Sequence, residues 1–457
     1  MNLDELLLNV KAVTFDTMVC QTEIKTEEDI EELRNQNYRV DLTLDAFKEK
    51  FDIDPNNVWY CPSFSMSNLY FNKETLAVCP LHLDFFIQGL SPVGIDGLYR
   101  AIEEREKEVA NHKYQGSILT LADAMRIEYF KLLVDKKGTD IPDLYSLFIS
   151  NYQCSDYGFA NLAPDTLSAI LKSKTEEDID NTNRQLEGLD DVVTIYRGGN
   201  SASTPYDKAY SWTLDKNVAN FFATRRGSSE AYIAVATVKK EDIIECLLED
   251  GSEEEVIVYP DKIKIEKVET LRGMEFISEI LPGLIPMYQK YRDMMHDIDF
   301  YMDSSIHGKE HQARVLLHCL TISEMLGLPN SDRKILATAS IYHDTQRTHD
   351  YVENGHGKAA RDYYVENTVK PDPIVEFLCE YHCLPDEQGY QEIRNNRKLS
   401  KNREKTTLLY KIFKDADGLD RIRLGGIREI DVNQLRLDVS KELTLSARIM
   451  YEQIRVD

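Results

Sequence analysis

With 457 residues, 42% of them apolar and 29% charged, the chain is long enough for two or three domains with real cores, which excludes a disordered or fibrous protein. Its formal net charge of −25 works against non-specific binding to nucleic-acid phosphates and anionic membranes, while leaving room for a small basic pocket that holds one nucleotide. Eight scattered cysteines spell no disulfide framework, so a reducing cytoplasm is the expected setting, with a secreted effector compatible with the same numbers.

The first stretch, MNLDELLLNVKAVTFDTMVC, has neither a basic n-region nor a small-residue cleavage site and is read as no signal peptide. No apolar run reaches the length of a membrane span. Residues 1–105 mix acidic helical stretches with an aromatic, proline-punctuated segment. They are expected to fold as a small domain or an extension, with no motif of known role. From about 106 to 190 the apolar spacing is helical, as in SILTLADAMRIEYFKLLVDKK. From 191 the period changes to two in DVVTIYRG, AYIAVATV, EEVIVYP and KIKIEKVE, which reads as a largely antiparallel sheet. One short helix interrupts it, DKNVANFFATRR, with Asp215 placed as its cap and Val218, Phe221 and Phe222 on one side. Residues 270–300, with two prolines, read as a junction, and everything after them reads helical. The expected organisation is multidomain: 1–105, then an α+β domain over 106–272, then an all-α helical bundle over 285–457.

Histidine is concentrated in the last third, with eight of ten from His296 onward. There His311 in HGKEHQARV, the adjacent His343 and Asp344 in YHD, and Asp417 in KDADGLD each stand in an apolar helical context. Ionisable groups there are costly unless paired, and imidazoles with carboxylates suit a divalent metal. Helical neighbours diverge by about 100°, so His343 and Asp344 reach one metal cluster only near a helix end. Asp415 is an alternative to Asp417. His318 reads as a packed core histidine, and Cys379 and Cys383 in CEYHC read as a helical pair of buried thiols rather than metal ligands.

Taken in order, these elements resemble the HD-domain metal-dependent phosphohydrolases over roughly 290–457. The resemblance implies that His311, His343, Asp344 and Asp417 are metal ligands, with Asp417 preferred because it lies two residues before Leu419. It implies that His356, in the stretch THDYVENGHGKAA, and His382 touch a second metal or the substrate phosphate. His307, Arg347, Lys414 and Arg421 are further candidates for the second metal or the phosphate, with Arg347 and Asp350 lining the substrate side. The ion would be divalent: Mn, Mg, Fe, Co or Ni.

In the middle of the chain, Arg197 in YRG can pair with a diphosphate, Ser211 and Thr213 in SWT can brace a site, and a Glu of EEE can stabilise positive charge on an anomeric carbon. On an alternating strand Glu253 and Glu255 would share a face, with Glu254 pointing away. This set resembles the Arg-Ser-Glu class of mono-ADP-ribosyltransferases over roughly 110–270. The resemblance implies NAD as co-substrate, bound by Arg197, Gly198, Ser211, Thr213 and Glu255, and catalysis by Arg197, Ser211, Glu253 and Glu255. It also implies a target-recognition loop over KKEDIIECLLEDGS. The joint expectation is a bifunctional enzyme: NAD-dependent ADP-ribosyl transfer to an unknown acceptor, plus metal-dependent hydrolysis of a phosphorylated, nucleotide or ADP-ribosylated substrate. The alternative is an HD phosphohydrolase whose middle domain only binds a nucleotide or a partner.

Overall fold

The structure is a computed structural model that describes residues 14–62, 68–89, 94–155, 162–201, 203–225, 230–248, 253–302, 306–351 and 355–453. Most of the stretch read for a signal peptide, residues 1–13, and the end of the expected recognition loop, residues 249–252, lie outside them. The chain forms two compact units, residues 1–184 and 185–457. The helices expected over 106–184 therefore fall in the first unit and the strands from 192 onward in the second.

The first unit carries an antiparallel sheet of β1 (Val19–Cys20), β2 (Val58–Tyr60), β3 (Asn68–Asn72) and β4 (Ala77–Pro80), in that order. Sequence reading did not see these strands because β3 is buried on both faces at Asn68, Leu69, Tyr70 and Phe71, which erases the polar–apolar alternation. Its longest helices among the described residues are Gly94–Ala110, Asp123–Lys137 and Leu144–Gln153. Tyr129 is buried and donates to the Leu76 carbonyl at 2.8 Å, and Phe130 packs edge-on against Phe148.

The second unit opens with six strands among the described residues: β5 (Val192–Asn200), β6 (Ser211–Thr213), β7 (Ala231–Lys239), β8 (Ile243–Leu247), β9 (Glu255–Val258) and β10 (Lys264–Leu271). Their order is β10-β7-β5-β6-β9-β8, antiparallel throughout. The expected antiparallel sheet is present, with one correction: part of KKEDIIECLLEDGS, read as a loop, is the edge strand β8 paired with β9. Its burial follows no simple alternation, because Glu245 is buried between apolar neighbours.

The Lys216–Thr224 helix has Asp215 as its cap, the carboxylate accepting from the Asn217 N–H at 2.8 Å. Its buried face is not the phenylalanine side. Asn217, Val218, Ala219, Asn220 and Ala223 face inward, while Phe221 and Phe222 are only partly covered and pack on each other. The small inward residues let the helix lie almost against β5. A Cβ on Gly198 would sit 1.7 Å from the Ala219 carbonyl oxygen, so the close approach requires glycine there.

Helices Met274–Met294, Lys309–Met325, Asn330–Tyr342, His356–Glu366, Pro373–Tyr381, Asp386–Asn395, Arg403–Leu419 and Thr444–Gln453 make the bundle. The first runs unbroken through Pro282 and Pro286. The Lys309–Met325 helix is central, buried at every position from His311 to Ser323. Within this unit the sheet and the bundle share one apolar core, in which Ala219, Ala223 and Ile233 meet Ile277, Leu316, Leu445 and Ile449. No helix among the described residues is long and apolar enough to cross a membrane.

Glu245 on β8 is 4% exposed, and burial, partly opposed by the Cys246 N–H, pushes its carboxyl up to about 7. The folded chain holds that proton more tightly than the unfolded chain, so the contribution is fully present below about pH 4.5 and is lost as pH rises through about 7. Glu245→Gln is therefore expected to stabilise the protein by roughly 2–3 kcal/mol at pH 8 and little at pH 5, as read from thermal melts at the two pH values.

Candidate functional site

The Asn330–Tyr342 helix ends where the adjacent His and Asp begin: His343 caps it, and Asp344 lies in the turn beyond. The apolar run before them, Ala337, Ala339 and Ile341, is fully buried and forms a rigid wall. Four other helix ends converge on the same point. His311 comes from the first turn of Lys309–Met325, His356 from the first residue of His356–Glu366, and His382 from the cap of Pro373–Tyr381. Asp417 comes from the last turn of Arg403–Leu419.

Ring tautomers are set by fixed acceptors. His343 donates from Nδ1 to the Ser340 carbonyl at 2.9 Å, His382 from Nδ1 to the Cys379 carbonyl at 2.7 Å, and His311 Nδ1 faces Asp420 Oδ2 at 2.7 Å. His343 and His382 therefore present a lone pair on Nε2. The Nε2 atoms come together in pairs. His343 Nε2 lies 3.2 Å from His311 Nε2, and His382 Nε2 lies 3.0 Å from His356 Nε2. A lone pair at that range is served either by a proton on the facing nitrogen or by a cation held between the two. Ligand atoms about 2.0–2.2 Å from one ion are separated by roughly 3.0–3.5 Å, which is the spacing found here.

Asp344 joins the two pairs. Its Oδ2 is 3.4 Å from His311 Nε2 and 3.1 Å from His307 Nδ1; its Oδ1 is 3.1 Å from His356 Nε2 and 3.3 Å from His382 Nε2. Asp417 Oδ1 completes the first group at 3.5 Å from His311 Nε2. His311, His343 and Asp417 form one set with metal-ligand spacing, and His356, His382 and Cys383 another. Burial alone would raise the Asp344 carboxyl. His343 and hydrogen bonds from His307, His311 and His356 hold it well below the usual carboxylate range. Burial pushes the His343 ring down to about 3, so it stays neutral and can coordinate. His318 is likewise neutral, pushed down to about 4, and is packed in the core rather than joined to these sets.

Asp415 is fully buried and accepts from the main-chain N–H groups of Arg436 and Leu437, so it anchors the chain there rather than facing the imidazoles. Arg347 is buried beside the second set, with Nη1 3.3 Å from His356 Nε2 and 4.0 Å from Asp344 Oδ1, whereas Asp350 is exposed. Two sequence-based candidates lie elsewhere. Lys414 donates to the His382 and Leu384 carbonyls at 2.8 and 2.7 Å and lies 3.4 Å from Asp386, so its donors hold the turn after His382. Arg421 is exposed. The 3₁₀ turn Asp420–Leu424 puts residues three apart on one face, so Asp420 and Arg423 point inward instead.

Sequence reading missed both of these residues. Arg423 Nη2 lies 3.2 Å from His307 Nδ1, and its buried Nε has no hydrogen-bond partner among the described residues. Asp420 is fully buried, bonded to His311 and to Arg314 Nε at 2.5 Å. The available signal was the Arg of HQARV, a buried cation that needs a buried anion. Asp420→Asn is expected to weaken divalent-metal binding about 10- to 100-fold and, because Arg314 loses its buried anion, to lower the melting temperature as well, measured by metal titration and thermal melts under conditions where circular dichroism shows the variant folded.

Residues 308–422 match the HD domain family. No curated protein and no solved structure is significantly similar to the chain. The matched span contains every residue of the two histidine–aspartate sets, and His307, which faces Asp344, immediately precedes the HD domain's first matched residue.

The strand residues are also brought together. Arg197 on β5, Ser211 on β6 and Glu255 on β9 lie on three successive strands. Arg197 Nη1 donates to the Ser211 carbonyl at 2.6 Å, and Ser211 Oγ donates to Glu255 Oε1 at 2.5 Å. Thr213 Oγ1 donates to the Glu253 carbonyl at 2.6 Å. The alternation argument for Glu253 does not hold. β9 begins at Glu255, and Glu254 precedes it with φ +48°, so Glu253 lies in a turn and not on the strand. Glu254 and Asp215 both pair with Arg428, which reaches over from the bundle at 2.9 and 2.5 Å. At Gly198 the close approach of the Lys216–Thr224 helix already requires glycine.

Proposed function

We propose that the HD domain is a metal-dependent phosphohydrolase with two ion positions, His311, His343 and Asp417 at the first, His356 and His382 at the second, and Asp344 bridging them. The observation that carries this is the division of Asp344: one oxygen faces each histidine pair. Divalent ions bound there supply Lewis acidity toward a phosphoryl oxygen and lower the pKa of a water. The side chains do the rest. Arg347 and Arg423 offer buried guanidinium charge for a phosphate, and His307, held between Arg423 and Asp344, is within reach of a proton on the attacking or leaving oxygen. The test is hydrolysis after chelation and reloading with Mn²⁺, Mg²⁺, Fe²⁺, Co²⁺ or Ni²⁺, read as release of phosphate from mononucleotides and nucleoside triphosphates and as release of AMP from ADP-ribose. Release that needs a divalent ion supports the reading, and release indifferent to chelation refutes it.

A second reading concerns the sheet. The hydrogen-bonded series Arg197, Ser211, Glu255 favours an NAD site with ADP-ribosyl transfer to an acceptor, whose product would be chemically related to the HD substrate. Nicotinamide release from NAD by wild type but not by Glu255→Gln supports transfer. Binding of NAD without release supports a nucleotide-sensing sheet instead.

A further inference from the structure

The second ion position contains a residue that the phosphohydrolase reading leaves unused. Cys383 follows His382 in the turn after the Pro373–Tyr381 helix. Its sulfur lies with ligand atoms of His356 and His382 in a group no wider than 4.8 Å, and both the His356 side chain and the Gly357 main-chain N–H hydrogen-bond to it. The other cysteine of CEYHC, Cys379, is fully buried in the apolar core.

The position of the sulfur is built rather than incidental. Lys414 ties down the carbonyls on either side of it, those of His382 and Leu384. The His356–Glu366 helix starts so close to this turn that a Cβ on Gly357 would lie 2.7 Å from the Cys379 and Glu380 carbonyl oxygens and 3.0 Å from the Cys383 sulfur. Asp344 Oδ1, 3.1 Å from His356 Nε2 and 3.3 Å from His382 Nε2, supplies the remaining donor on this side.

We propose that Cys383 is a thiolate ligand of the second ion, which is then held by two imidazoles, one sulfur and the bridging carboxylate. The inference rests on the two-ion reading above. Two nitrogens, one sulfur and one oxygen favour a borderline-soft ion such as Zn²⁺ or Fe²⁺ over Mg²⁺ or Mn²⁺ at this position, whereas the first position offers only nitrogen and oxygen. The two positions would then differ in ion preference, and oxidation of Cys383 would release the second ion and leave the first.

The test is optical titration of the full chain with Co²⁺. Wild type and Cys379→Ser are expected to bind two ions and to show an intense sulfur-to-cobalt absorption in the near ultraviolet. Cys383→Ser is expected to lose that band, keep the first ion, and bind the second about 10- to 100-fold more weakly. Two bound ions with no near-ultraviolet band in wild type, or a Cys383→Ser titration identical to wild type, would overturn the assignment and leave Cys383 as a thiol donating to the Glu380 carbonyl. Failure of wild type to bind Co²⁺ at all would overturn the two-ion reading and this assignment together.

Discussion

Replacing Asp344 with Asn is expected to cut metal-dependent phosphate release at least about a hundred-fold while leaving the far-ultraviolet circular dichroism spectrum unchanged. The amide has nearly the shape of the carboxylate, so the wall formed by Ala337, Ala339 and Ile341 stays packed. What is lost is the charge that faces both histidine pairs at once. A neutral side chain cannot offer an anionic oxygen to each ion. A variant that keeps full activity would show that Asp344 is a structural partner of His307 and nothing more.

The second large effect concerns folding. Gly198→Ala places a Cβ within 1.7 Å of a main-chain oxygen of the Lys216–Thr224 helix, and no side-chain rotation relieves a backbone contact. The helix must move off β5, and its inner residues Ala219 and Ala223 belong to the core that joins sheet and bundle. The expected cost is about 3 kcal/mol, read as a fall of roughly 5–10 °C in the melting temperature of the second unit. An unchanged Tm would mean that the helix lies farther from β5 than described.

Much of the bundle site was legible because candidate metal ligands violate local rules. His311, His343, Asp344 and Asp417 are polar residues in helical runs that otherwise fill a core, and such exceptions stand out without any structure. Their supporting residues were not legible for the opposite reason. Asp420 and Arg423 look like ordinary residues of a charged helix end. Only the switch from helix to 3₁₀ turn at Asp420 turns them inward and leaves Arg421 outside. Lys414 looked free in the sequence and is occupied by two carbonyls that come from another helix end.

In the sheet, alternating β-branched runs marked β5, β7, β9 and β10, but not β8 or the first-unit strand β3, whose burial does not alternate. The positive φ at Glu254, which separates Glu253 from the strand, has no signature in a run of three identical acids. Cys383 was read as a helical partner of Cys379, four residues before it. The helix ends at Tyr381, so the two sulfurs lie in different surroundings, one in the core and one beside two imidazoles.

The central claim, that five helix ends and one bridging aspartate hold two divalent ions, is tested most directly by counting ions. Chelator-treated full-length chain would be titrated with Mn²⁺ or Co²⁺ and the bound metal quantified per chain. The account predicts two ions in the wild type, and not more than one in an Asp417→Ala or His382→Ala variant, because each substitution removes a ligand from one position only. No specifically bound ion in the wild type, or an unchanged count in both variants, would contradict it.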